Sequence, residues 1–486
     1  MGAVFTDIPW GVGLILLPLA GGMICFLWPG IAKIAGLVTA FVVVLSVAGL
    51  GWQILDDGVY HHTLGGWGAP LGIDLYADGL SLLMLAATAL VGLGVSVHSS
   101  GYFEGEYSAR FWPLWLFLLA ALNALFLSAD IFNLYLTLEL MGLAAVVLTA
   151  LMGGRDALSG AMRYLLVTLL GSLAYLLGVA LLFHNFGSVD MAILAGRVEA
   201  SPAVRAALGL MSAGLALKIG LFPFHFWLPP AHASAPAPVS ALLSALVVKA
   251  PFYILLRLWL EIFGPLSEGV DALLGLLGAA AVLWGSVQAL RQTRLKLLLA
   301  YSTVAQIGYL FVAFPLAVAA GLTAWSAAAY LMLSHALAKA AMFLAAGNLL
   351  RFGGHDRIPD LDRVVQRLPL STGAFALGGV AIVGLPPSGG FVGKWLLLEA
   401  ALSQGRWGLV AVIILGSLLA AAYVFKVLGH AFTQASTPHE PRAVPASMEW
   451  AALLLAMGAI LLGFLASPVL ALLGIGDPFV ASGVGP

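Results

Sequence analysis

Apolar residues in this chain run on for about 20 positions at a time, the length a helix needs to cross a bilayer core, and short polar stretches separate the runs from end to end. In lipid such runs are helices, because a helix satisfies its own backbone hydrogen bonds. The pattern predicts an all-α polytopic protein of about fourteen spans, near 11–28, 31–55, 75–97, 111–129, 130–152, 159–185, 205–228, 235–260, 267–290, 297–318, 322–350, 370–403, 407–432 and 448–475. The longest polar stretches, 56–74, 186–204, 351–369 and 433–447, are too short for a separate soluble domain.

Two spans read as interrupted. The seventh is ALKIGLFPFHFWLPP, with Pro223 just after Lys218; the twelfth is VGLPPSGGFVGKWLLLEA, with Pro386, Pro387, Gly389 and Gly390 just before Lys394. Proline removes a helical hydrogen bond and glycine lets the backbone unwind. Broken helices at corresponding places in two halves point to a transport site built from inverted repeats. The breaks are five spans apart, with the lysine on opposite sides of each break. This predicts two inverted five-helix repeats, spans 4–8 and 9–13, and four regions: an N-terminal three-helix region 1–110, repeats over 111–260 and 261–432, and a C-terminal helix region 433–486.

Basic residues set the expected orientation. After odd-numbered spans lie Lys33, Arg110, Arg155, Arg163, Arg291, Arg294, Lys296, Arg351, Arg357, Arg363, Arg367 and Arg442; beside the other surface lie only Arg197, Arg205, Arg257 and Arg406. The positive-inside rule puts the richer side in the cytoplasm and both termini outside, in the plasma membrane.

Composition narrows the class. Of 486 residues 62% are hydrophobic and 9% charged, against about 25% charged in soluble domains. One cysteine, Cys25, excludes a disulfide framework and any Cys-ligated iron–sulfur cluster within the chain. A net charge of −1 offers nothing to nucleic acid. The stretch from Met1 to Trp10 lacks the basic start of a cleavable signal, so the first apolar run is expected to stay as a span. No phosphate-binding loop, haem-attachment motif or nucleophile elbow is present, and no cofactor or metal is expected. The run DDGVYHH at 56–62 reads as a solvated loop, and Asp74 and Asp78 as caps of the third span.

The charges inside the spans carry the chemistry. Lys218, Lys249, Lys339, Lys394 and Lys426 belong to no loop, and Glu139 sits mid-span in SADIFNLYLTLELMGLAAVV. A charge at the bilayer centre costs roughly 2.5–3.5 kcal/mol on insertion scales. Lys426 is near enough to a surface to snorkel. The interior cations are lysines, while arginines stay near the surfaces; only lysine can release its proton in a protein. Glu139 is either an ion-pair partner that docks the fifth helix or a carboxylate holding Lys218 charged until the pair separates. At an effective dielectric near 20, a pair about 4 Å apart interacts by about 4 kcal/mol. Lys249 sits mid-span beside Pro251, and His335 and Lys339 are four apart on one helix face. Ser302, Gln306 and Tyr309 make a polar stripe on the tenth span. His225 and His232 bracket the first break, either as structural residues there or as carriers between Lys218 and Lys249.

These residues resemble a known family. The stretch LKIGLFPFHFWLPPAHASAPAPVSALLSALVVKAPFYILLR, with LLLAYSTVAQIGYL, LMLSHALAKAAMFLAAG and GLPPSGGFVGKW, resembles the proton-conducting antiporter-like membrane subunits shared by Mrp-type cation/proton antiporters, respiratory complex I and membrane-bound hydrogenases. The resemblance covers about residues 70–430 and is nearest to the D subunit of Mrp antiporters. It implies fourteen helices with inverted repeats, proton transfer at Glu139, Lys218, Lys249 and Lys394, and a link through His335 and Lys339. Pro230 stands where many members carry aspartate, so no role for that aspartate carries over. The implied partners are other membrane subunits, with protons and, in an antiporter, sodium as cargo. The alternative is the pumping subunit of a complex I-like oxidoreductase or hydrogenase, the chain itself doing no redox chemistry.

Overall fold

The structure is a computed structural model describing residues 8–267, 269–435 and 441–476. Most of the N-terminal stretch read as signal-free, Met1–Asp7, lies outside the described residues. The α-helices of six residues or more are α1 Trp10–Leu27, α2 Ala32–Asp57, α3 Gly79–Tyr102, α4 Gly105–Phe126, α5 Ile131–Thr149, α6 Arg155–Phe186, α7 Pro202–Ile219, α8 Leu228–Ser234, α9 Ala237–Leu242, α10 Lys249–Leu258, α11 Val270–Arg291, α12 Leu295–Gly353, α13 Pro369–Val383, α14 Gly389–Ser403, α15 Trp407–Ala431, α16 Ala446–Leu461 and α17 Ala466–Leu473.

At 1.5 Å per residue a straight α12 would be about 90 Å long, roughly three bilayer cores. It is two spans instead. Ala320 leaves helical geometry (φ −125°, ψ 45°), and Lys339 Nζ reaches Leu299 O at 2.9 Å, so the second half folds back along the first. The seventh span is α7 plus α8, the eighth runs 237–263, the twelfth is α13 plus α14, and the last is α16 bent by 79° into α17. Counted so, the described chain crosses fourteen times, as the apolar pattern predicts. Spans five apart cross in opposite directions, so units 4–8 and 9–13 lie inverted in the membrane, each with its fourth span broken.

The eighth span is buried except near its end at Leu260 and Glu261, and the first, second and thirteenth lie at the periphery. Close helix contacts rely on missing side chains: a Cβ on Gly171 would stand 2.7 Å from Gly214 O, so α6 and α7 approach as small residues permit.

Three features depart from the sequence reading. The polar stretch after α2 folds into a hairpin, β1 Tyr60–Thr63 antiparallel to β2 Asp74–Ala77, with Tyr60 opposite Ala77. There His61 Nε2 meets Asp74 Oδ2 at 3.4 Å. Lys296, grouped above with surface charges, is buried and donates to Ala233 O and Ala235 O at the end of α8. Arg257, also grouped with the surface, is buried at 2% exposure because Asp78 pairs with it. Asp78 is the expected cap, accepting from Ser81 N at 2.9 Å, and carries this second role as well.

Candidate functional site

Gly220 closes α7 in the left-handed region (φ 75°), a conformation glycine adopts without strain. Pro223 follows and cannot continue the helix. Lys218 therefore lies in the last turn of α7, at the break, and its side chain is held from two other helices. Its Nζ donates to Glu139 Oε1 on α5 and to Thr168 Oγ1 on α6, both at 2.9 Å. Ser172, one turn beyond Thr168, donates to the same Glu139 oxygen. Side-chain exposure is 3% for Lys218 and 19% for Glu139. Removing either partner would strand the other charge in a poorly solvated place.

The eighth span is not a plain α-helix. A π-turn over Leu243–Val247 separates α9 from α10, a local widening often found at functional sites. Lys249 opens α10, fully buried, and donates to Ser244 O. The hydroxyls of Ser244 and Thr303 are 2.8 Å apart, joining this span to the tenth and so the first unit to the second.

On the fold-back of α12, Lys339 donates to Leu299 O and to Ser302 Oγ. His335, one turn before it, is buried, and neither ring nitrogen has a hydrogen-bond partner among the described residues. It lies within electrostatic reach of Lys249, Lys339 and Lys394 alike.

The second break is bounded by Gly384 (φ 85°). Across it Lys394, on the first turns of α14, donates back to the last carbonyls of α13: Ile382 O at 2.9 Å and Val383 O at 3.1 Å. Ser417 Oγ is at 3.2 Å, and the Tyr309 ring centre lies 4.3 Å from the ammonium. A helix C-terminus carries partial negative charge and favours a cation there. The polar stripe of the tenth span is distributed along the line: Ser302 holds Lys339, Gln306 reaches Ile382 O at 3.3 Å, and Tyr309 underlies Lys394.

The remaining residues lie beside this line. His232 is buried against Phe343, ring centres 4.9 Å apart, within electrostatic reach of Lys296, Lys339 and Lys249. His225 is half-buried and stacks on Phe222 at 5.5 Å; among the described residues no hydrogen bond joins it to Lys218 or Lys249. Lys426 caps the end of α11 through Leu290 O at 2.8 Å and Gln292 O at 2.7 Å. Sequence reasoning missed Thr168 and Ser172. Their four-residue spacing on α6, with Gly171 between them, was the available signal. It also missed the cluster of Asp78, Ser81, Tyr253, Arg257 and Glu261.

Residues 128–420 match the family described as NADH:quinone oxidoreductase/Mrp antiporter, TM. The chain is 37% identical over 427 residues to the N subunit of the NADH-quinone oxidoreductase of Desulforudis audaxviator, covering 83% of this chain and 84% of that one. It is 29% identical over 405 residues to the D subunit of the Na(+)/H(+) antiporter of Bacillus subtilis, covering 82% and 80%. A chain in the structure of the Mrp complex from Dietzia sp. superposes with a TM-score of 0.89, at 24% identity, over 97% of this chain and 98% of that one.

Proposed function

The chain belongs to the NADH:quinone oxidoreductase/Mrp antiporter transmembrane family, and from that premise we propose that it is the proton-translocating subunit of a multisubunit cation/proton antiporter. The observation that carries this reading is the ion pair of Lys218 and Glu139, 2.9 Å apart at the break of the seventh span. A lysine beside a movable carboxylate is a proton switch: ammonium while the carboxylate is near, a donor once it withdraws. Neither a structural clamp nor a solute pocket calls for further buried lysines strung out beyond it.

In this scheme a proton enters from the cytoplasm near Lys218 and Lys249 while Glu139 pairs with Lys218. Opening the pair drives it through His335 and Lys339 to Lys394, and out on the far side; an antiporter runs the same line in reverse. His232 and His225 are the side carriers of the first unit. Both termini face outward in the plasma membrane, the basic loops inward. The four regions 1–110, 111–260, 261–432 and 433–486 are the corresponding working divisions.

A second reading, the pumping arm of a redox complex, is favoured by the 37% identity to a subunit of an NADH-quinone oxidoreductase. Mass spectrometry of the intact complex, purified through a tag on this chain, separates the two. Small membrane partners alone, with sodium-driven proton movement in vesicles, support the antiporter. Partners carrying flavin, nickel or iron–sulfur centres overturn it in favour of the redox arm.

A further inference from the structure

The eighth span carries a second polar line that the proton path above does not use. Lys249, Tyr253, Arg257 and Glu261 follow one another at four-residue intervals, so they share one helix face. The first three are at most 2% exposed, whereas the Glu261 side chain is 22% exposed. The line thus runs from the buried Lys249 toward the surface where α3 begins, which is the outer surface in the orientation proposed above. Left open, it would drain a proton from Lys249 directly to that side and bypass the second unit.

The geometry at Arg257 closes it. All five guanidinium donors are engaged: Nη2 to Asp78 Oδ1 at 2.5 Å and Ser81 Oγ at 2.8 Å, Nη1 to Asp78 Oδ2 at 2.6 Å and Glu261 Oε1 at 3.1 Å, and Nε to Tyr253 Oη at 3.0 Å. Tyr253 donates to Phe126 O at 3.3 Å, which leaves Ser81 to donate across the 2.9 Å contact between the two hydroxyls. A migrating proton needs a hydroxyl oxygen with a free lone pair. Here Tyr253 Oη already accepts from Arg257 and Ser81, so both of its lone pairs are occupied, while Ser81 Oγ accepts from Arg257. Both hydroxyls face a cation that cannot itself give up a proton. Arginine is placed for the same purpose in pores that exclude protons. Among the described residues no arginine is bonded at the second break: Lys394 meets carbonyls, a hydroxyl and an aromatic ring.

We infer that Arg257, fixed by Asp78 and Glu261, is a proton barrier at the outer end of the first unit, forcing a proton on Lys249 sideways into the second unit. The inference rests on the proposed function in taking Lys249 as a proton carrier and in the orientation given to the spans.

The test measures passive proton leak, with transport idle, in vesicles holding the intact complex and a pH-sensitive dye. Arg257→Lys keeps the charge and the Asp78 pair, so the complex assembles whether Arg257 is a barrier or a mere clamp between α3 and α10. Lysine, however, can pass on a proton and cannot hold both hydroxyls. The barrier account expects a several-fold faster leak, returned to the wild-type rate by adding Lys249→Ala. The double variant Asp78→Asn/Arg257→Gln, which removes both charges together, leaks faster still. Wild-type tightness in assembled Arg257→Lys overturns the inference, as does a leak that survives Lys249→Ala. Normal transport in Lys249→Ala alone would instead overturn Lys249 as a carrier, a separate failure.

Discussion

The two broken spans solve one problem with opposite means. In the first unit the lysine precedes its break and is held by a carboxylate, Glu139, with hydroxyls of Thr168 and Ser172 around the pair. In the second the lysine follows its break and is held by backbone carbonyls that the break itself frees, with Ser417 and the Tyr309 ring. A carboxylate can move away and change the lysine's charge state abruptly. Carbonyls at a helix end stay put and merely make a cation welcome. In the proposed function the first break is therefore the switch and the second the landing.

That contrast can be broken by substitution. The largest effect is expected for Lys218→Met, which strands Glu139: stability falls by about 3–5 kcal/mol, read as a large drop in the thermal unfolding temperature, and transport vanishes. Adding Glu139→Gln restores most of the stability but none of the transport. Next, Lys394→Gln should abolish transport with little loss of thermal stability, because no opposite charge is left unpaired. Equal destabilisation at the two lysines would erase the distinction. Gly171→Leu, which sets a branched side chain against Gly214 O and Lys218, should push α6 from α7, separate the ion pair and lower both assembly and transport. The smallest effect belongs to Ser417→Ala: losing one of several bonds to Lys394 costs about 0.5–1.5 kcal/mol, a few-fold slower transport with unchanged assembly.

Much of this was legible in the sequence. Runs of membrane length mark the spans, and Pro223 and Pro386–Pro387 mark the breaks, because lipid and proline act locally. Lysines in apolar surroundings stand out for the same reason. What was hidden depends on distance along the chain. Asp78 and Arg257 are 179 positions apart, and nothing local says that an arginine near a span end is folded inward onto a helix cap. Thr168 and Ser172 look like ordinary helix-packing hydroxyls until α5 and α7 converge on them. The hairpin of β1 and β2 lies in a stretch whose length and polarity read simply as loop. The carbonyl cradle of Lys394 is invisible because it is backbone, and only the break exposes it.

The most direct test of the switch is proton translocation by the reconstituted complex carrying Glu139→Gln. The amide keeps the size of the side chain and acceptors for Ser172 and Lys218, and removes only the charge. The account predicts an assembled complex whose proton transport falls by about 100-fold. An assembled Glu139→Gln complex that moves protons at the wild-type rate would contradict it.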